Sequence, residues 1–334
     1  MNIGIVVSNK TNINRRQFIK ATVVTGTASV TDFSSSALSR KLHHAERNSN
    51  EIKFKFGVIN DVHHTTTKHN LEPDIGEHSE WIKAFAEAMN GAGASFVVSN
   101  GDQIHEGYNG SIPSRYKETE FVRNLETYKE NMKFFKGPSY YVLGNHECCG
   151  AIDKDGIRSI WHYPEDNQFI PDNYFQFDYP EQKLRFIVLD SQYEPDGTDK
   201  KPFCEGYSEG YIPPQQLQWL CEQLEDVRRN DYLAIIFSHQ ILGDIHYPYG
   251  ISNAAEVQRA IESYSDVVPV AFHGHLHDNA VQRQNGVTYV SVRRWIVDLS
   301  ADWAKRFGDW LLIEVFSDNS IRVTGHGAAL SLNI

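Results

Sequence analysis

From Ile52 onward, short apolar runs rich in β-branched and aromatic residues alternate with longer stretches whose apolar positions recur every three or four residues. The runs at 54–59 (FKFGVI), 95–100 (SFVVSN), 139–143 (SYYVL), 174–179 (YFQFDY), 184–190 (LRFIVLD), 233–238 (LAIIFS) and 267–272 (VVPVAF) predict strands. Helical spacing predicts helices around 78–90, 118–136, 214–229 and 253–264. In the third of these a proline start is followed by Leu217, Leu220, Cys221 and Leu224. Beyond His277 the pattern changes to hairpins, with turns at Asn285-Gly286 and Asp318-Asn319. This order predicts an α/β fold, two facing sheets with helices outside, as a single domain over 52–330.

The first 45 residues do not share this pattern and read as an export signal with a disordered linker. Arg15-Arg16 precede Phe18, Ile19 and Lys20, then a mild apolar run and a serine-rich stretch, which resembles a twin-arginine signal. The apolar run is far shorter than the roughly 20 residues a spanning helix needs. The expectations are transient contact with the twin-arginine translocon, no stable membrane insertion, and a periplasmic or extracellular location. A chance arginine pair in a cytoplasmic protein is the alternative. The chain carries 43 acidic against 32 basic side chains, a net charge of −11, and the basic surplus of residues 1–41 makes the remainder more acidic still. A nucleic-acid polymer is therefore not an expected partner, whereas a small phosphorylated substrate remains open if a metal supplies the local positive field. Four cysteines are too few for a disulfide scaffold; Cys148 and Cys149 are adjacent and not expected to pair with each other, and no zinc template fits their spacing to Cys204 and Cys221.

Five predicted strands run directly into polar clusters: NDVHH (60–64), NGDQ (100–103), GNHE (144–147), SHQ (238–240) and HGHLH (273–277). Ligands of α/β sheets bind outside the carboxyl ends of strands, so the five clusters are expected to converge. Imidazoles, carboxylates and an amide oxygen without thiolates suit Mn, Fe or Zn. Two such ions about 3.5–4 Å apart can activate water and clamp phosphoryl oxygens.

Asp61-x-His63, Gly101-Asp102, Gly144-Asn145-His146-Glu147, His239 and Gly274-His275-x-His277, in that order, resemble the motif set of the calcineurin-like metallophosphoesterases. The resemblance implies a four-layer α/β/β/α double-sheet sandwich and a dimetal-dependent hydrolase of phosphate esters. It points first to a phosphodiesterase or pyrophosphatase on nucleotide-like or other organic phosphates. A broad-specificity phosphomonoesterase uses the same core, and a non-catalytic scaffold would be expected to have lost part of this set. By the resemblance, Asp61, His63 and His277 hold one divalent ion, Asn145, His239 and His275 hold the second, and Asp102 bridges. His146 then faces the substrate as general acid, or as hydrogen-bond donor to the phosphoryl group, with Glu147 steadying its ring.

Residue chemistry adds further expectations. Gly101 removes bulk where metals approach the backbone, Asn145 limits the negative charge around an anionic substrate, and His275 and His277 share a face if their segment is extended. Asp278 is either a partner to a ligand imidazole or an exposed loop acid. GDQIHEG lacks the second acid that many relatives carry, and His105, near that place, either faces the substrate or is a loop residue; His64 is equally open. Tyr247, Tyr249, Arg293, Arg294 and Trp295 lie on segments near the expected mouth. They either contact a base and a phosphate or, as for Trp295, pack into the second sheet.

Overall fold

The computed structural model describes residues 51–66, 77–105, 118–161, 173–204, 209–243, 249–293 and 308–334. Its strands are β1 (Ile52–Ile59), β2 (Phe96–Asn100), β3 (Ser139–Val142), β4 (Phe175–Tyr179), β5 (Leu184–Val188) and β6 (Leu233–Ser238), then β7 (Val270–His273), β8 (Ala280–Gln284), β9 (Val287–Ser291), β10 (Trp310–Phe316), β11 (Ile321–His326) and β12 (Leu332–Asn333). The helices are α1 (Ser79–Ala92), α2 (Glu118–Met132), α3 (Asn145–Cys148), α4 (Lys154–Trp161), α5 (Pro214–Arg229) and α6 (Ala254–Glu262).

Two six-stranded sheets form, ordered β12-β11-β10-β1-β2-β3 and β4-β5-β6-β7-β9-β8. Strands β1, β2 and β3 are mutually parallel, as are β5, β6, β7 and β9, while the flanking strands are antiparallel. The period of two along each strand divides its side chains between layers. In β6, Leu233, Ile235 and Phe237 enter the core between the sheets, whereas Ala234 and Ile236 face α5 and α6. In β1, Phe54, Phe56 and Val58 enter the same inter-sheet core, and Ile59 faces the layer of α1, α2 and α4. The result is a four-layer α/β/β/α sandwich, as expected. Aromatic rings bridge the sheets: Phe96 of β2 meets Phe186 of β5 edge-on at 4.6 Å, and Phe56 meets Phe237 at 6.0 Å.

Two boundaries depart from expectation by three residues or more, each for a local reason. Helix α2 ends at Met132 rather than 136, because Asn90 of α1 captures the chain beyond it: its side chain donates to Phe134 O and accepts from Lys136 N. Strand β7 starts only at Val270, since Pro269 has no N–H for the ladder. The sequence pattern missed α3, α4 and the short β12. Among the described residues no helix is long and apolar enough to cross a membrane.

Candidate metal centre

All five polar clusters leave the carboxyl ends of parallel strands, three from one sheet and two from the other. Beyond the strands the backbone continues to pair. Asp61 N donates to Gly101 O (3.0 Å), His63 N to Asp102 O (3.0 Å), His64 N to Gln103 O (2.9 Å) and His105 N to His64 O (3.1 Å). The two sheets are stitched together at the same level: His275 N donates to both Asp61 oxygens (3.1 Å each), and His239 Nδ1 to Asn100 O (3.1 Å). Five residues here hold left-handed backbone: Asp61 (φ 49°), His63 (48°), Asp102 (49°), His275 (63°) and His277 (61°). Each such residue costs about 1–2 kcal/mol, and concentration of that strain at one place is characteristic of functional sites. The segment 274–279 is therefore bent, not extended as expected, and the bend sends His275 and His277 to different groups.

One group gathers donor atoms of Asp61, His63, Asp102 and His277 within 4.8 Å of one another; a second gathers Asp102, His239 and His275. Asn145 joins the second, its Oδ1 lying 3.0 Å from His239 Nε2. Asp102 belongs to both. Its Oδ2 is buried, 3.1 Å from His239 Nε2, 3.7 Å from His146 Nε2 and 3.9 Å from His63 Nε2. His239 donates through Nδ1, so Nε2 is the ring nitrogen turned toward the oxygens of Asn145 and Asp102. His63 Nε2 and His277 Nε2 meet at 3.3 Å. Ring nitrogens, carboxylate oxygens and an amide oxygen converging on shared space are a donor set a cation satisfies once it displaces the ring protons, so these residues fit a pair of divalent ions.

The electrostatics agree. Burial opposes charge on His239, yet the Asp102 carboxylate outweighs it and pushes the imidazole up to about 9. Burial likewise opposes ionisation of Asp102 and Asp61, but His239 and His146 hold the first, and His277 the second, below the usual carboxylate range. Burial, then the neighbouring His239, drops His275 to about 3, leaving it neutral and able to ligate. The site thus favours positive charge at its centre.

Two glycines and one acid make this geometry possible. A Cβ on Gly101 (φ 92°) would fall 2.1 Å from His239 Nδ1, and one on Gly144 would fall 2.2 Å from Asp102 Oδ1. The space beside Gly101 is taken by the His239 ring, so a side chain there would displace a candidate ligand. Glu147, fully buried, has its role on the backbone: it accepts from Gly144 N (2.9 Å), Asp102 N (3.0 Å) and Ile104 N (3.1 Å), locking the ends of β2 and β3 together. Burial and the Asp102 charge push its carboxyl up to about 8.

His146 lies on one-turn helix α3, its N–H donating to Asp102 Oδ1 (2.9 Å) and its ring 4.3 Å from that of His63. His105 is brought into the site: its donor atom, with those of His63 and His146, forms a third group within 4.8 Å. His64 is buried away from the metal groups, its Nδ1 accepting from His78 N. Arg293 lies with its Nε 3.5 Å from Asp309. Tyr249, 42% exposed, has its ring 5.7 Å from that of His275. Tyr247, Arg294 and Trp295 lie outside the described residues. A further feature had no sequence signal: Cys149, directly after α3, forms a disulfide with Cys204. Lys154, opening α4, reaches Asp190 (2.6 Å) and Asp199 (2.7 Å), tying the same segment down beside α3.

A sandwich of this topology with paired His/Asp groups at its strand ends defines a metal-dependent phosphoester hydrolase. The chain belongs to the calcineurin-like phosphoesterase family, whose model matches residues 54–279. Among solved structures it is similar to a dimetal phosphatase from Danio rerio (17% identity, 85% of this chain and 99% of that chain covered, TM-score 0.68). A purple acid phosphatase from yellow lupin is also similar (13%, 84% and 53%, 0.52), as is GAP50, the anchor in the inner membrane complex of Plasmodium (15%, 85% and 90%, 0.51). At these identities the likeness is one of fold. No curated protein matches.

Proposed function

We propose that the protein is a dimetal phosphodiesterase or pyrophosphatase acting on nucleotide-like or other organic phosphates. Asp61, His63 and His277 hold one ion, Asn145, His239 and His275 the other, and Asp102 serves both. The observation that carries this reading is Asp102 Oδ2, buried among three imidazole nitrogens at 3.1–3.9 Å. When bound, the ions supply an activated water and neutralise phosphoryl charge.

The chain's own contributions follow from placement. Asn145 adds an uncharged oxygen, so the ligand set carries only the two carboxylates Asp61 and Asp102, and an anionic ester is not repelled. His146, ringed by His63 and His105, is the general acid that protonates the departing oxygen at Nε2. Its backbone bond to Asp102 keeps the acid at a fixed offset from the centre. Tyr249, exposed beside His275, offers an aromatic edge to a base or acyl group.

A broad-specificity phosphomonoesterase is the second reading, favoured by the two phosphatases among the similar structures. The test is hydrolysis of an aryl phosphodiester and an aryl phosphomonoester side by side, on one sample of known metal content. Faster turnover of the diester supports the first reading, and faster turnover of the monoester the second. Neither activity in a metal-replete sample contradicts both.

Export through the twin-arginine route belongs to the same proposal. Arg15-Arg16 motivates it, and the Cys149–Cys204 disulfide supports it, since such bonds persist in oxidising compartments. A reporter fused to residues 1–45 that stays cytoplasmic, or is still exported after Arg15-Arg16→Lys-Lys, removes this part.

A further inference from the structure

We infer that His105 is a second substrate-facing residue, an imidazole that donates to a non-bridging phosphoryl oxygen beside His146; this rests on the phosphoesterase reading above. Three groups of converging donor atoms are present among the described residues. Two contain carboxylates and suit cations. The third, His63 with His105 and His146, is made of imidazoles; His63 also belongs to the first group, so His105 and His146 are the pair that can turn N–H donors to an oxyanion.

The position of His105 is built. The side chain is 4% exposed, with its ring 5.3 Å from that of His146 and 6.2 Å from that of His63. Its own N–H is bonded to His64 O, and the N–H of the preceding Ile104 to Glu147 Oε1, the acid that also holds Asp102 and Gly144. His105 is thus fixed relative to Asp102 and His146 by the same backbone lattice that fixes the candidate metal ligands. A surface-loop histidine would have no such constraint. Tyr249 stands beside His275, a member of the second group and not of the third. A substrate at the centre would place its phosphoryl oxygens and departing group toward His105 and His146.

The test uses the full chain loaded with Mn, as wild type, His105→Ala and His105→Gln, with inorganic phosphate as the calorimetric probe. The expected result is unchanged metal content and melting temperature, and phosphate affinity lowered roughly 10–100-fold in the alanine variant, as for one lost hydrogen bond to a charged group. Partial recovery is expected in the glutamine variant, which keeps a donor. On an aryl phosphodiester, kcat/KM falls in parallel. Wild-type phosphate affinity in His105→Ala overturns the inference. So does loss of metal, which would make His105 a ligand, and so does a wild type that binds no phosphate. A wild type that binds phosphate but hydrolyses no ester overturns the hydrolase reading alone, and the calorimetric comparison still upholds or overturns the role of His105.

Discussion

Replacing Gly101 by alanine separates two accounts of why a glycine precedes Asp102. The new Cβ would lie 2.1 Å from Nδ1 and 2.5 Å from Cγ of His239, well inside the roughly 3.5 Å at which carbon atoms pack. Gly101 also sits at φ 92°, a conformation that costs an alanine about 1–2 kcal/mol. Forcing the ring aside adds about 1–3 kcal/mol, as for other overpacked sites, and breaks its bond to Asn100 O. The total is roughly 2–5 kcal/mol, which for a domain of this size lowers the melting temperature by roughly 5–15 °C. The assay is thermal unfolding of metal-free and Mn-loaded protein, with metal content measured on each. If the clash with His239 is the reason for the glycine, the metal-free protein is destabilised too and metal uptake falls. Gly91→Ala is the control: it has nothing within 4 Å, lies within α1, and should stabilise by up to about 1 kcal/mol. A metal-free Gly101→Ala protein that melts with the wild type refutes the steric account.

His146→Ala should keep both ions and lose about 10²–10⁴-fold in turnover; full turnover with intact metal content contradicts its role as acid. Cys204→Ser, or reduction, opens a bond spanning 55 residues and should remove about 4 kcal/mol, read as a lower melting temperature; equal melting with and without reductant contradicts this. Burial depresses His64 and His78 to about 4 and His273 to about 3. These rings stay neutral in the fold while the unfolded chain takes up protons near 6.5, so stability is intact above that pH and falls as pH drops toward 4. Each contributes up to about 1.4 kcal/mol per pH unit. His239 acts on the opposite limb: raised to about 9, it stabilises the metal-free fold fully below 6.5 and is lost as pH rises through 9. Melting temperatures of metal-free protein between pH 4 and 10 check both limbs, and a flat profile contradicts them.

The strands were legible because their β-branched and aromatic runs face packed layers on both sides, so the apolar signal is nearly continuous. LAIIFS coincides with β6 at both ends. The convergence of the polar clusters was legible too, since parallel strands deliver their carboxyl ends to one edge. What sequence could not show depends on contacts between distant segments. The left-handed turns at His275 and His277 arise where the chain is pinned by Asp61, so an assumption of extended backbone sent both rings to one face. Glu147 reads as a neighbour of His146, but three N–H groups from two loops claim its carboxylate. Cys149 and Cys204 have 5.0 Å between their Cα atoms only after α3 and the segment ending at Cys204 are packed together. His105 was undecided for the same reason: only its bond to His64 O, from a segment 41 residues earlier, fixes it in the site.

The central claim, that Asp102 is shared by two ions, is tested most directly by calorimetric titration of Mn into metal-free wild type and Asp102→Asn. The account predicts two ions per chain in the wild type, and in the variant loss of at least one with the other weakened. Two ions bound with unchanged affinity in Asp102→Asn, or none in the wild type, would contradict it.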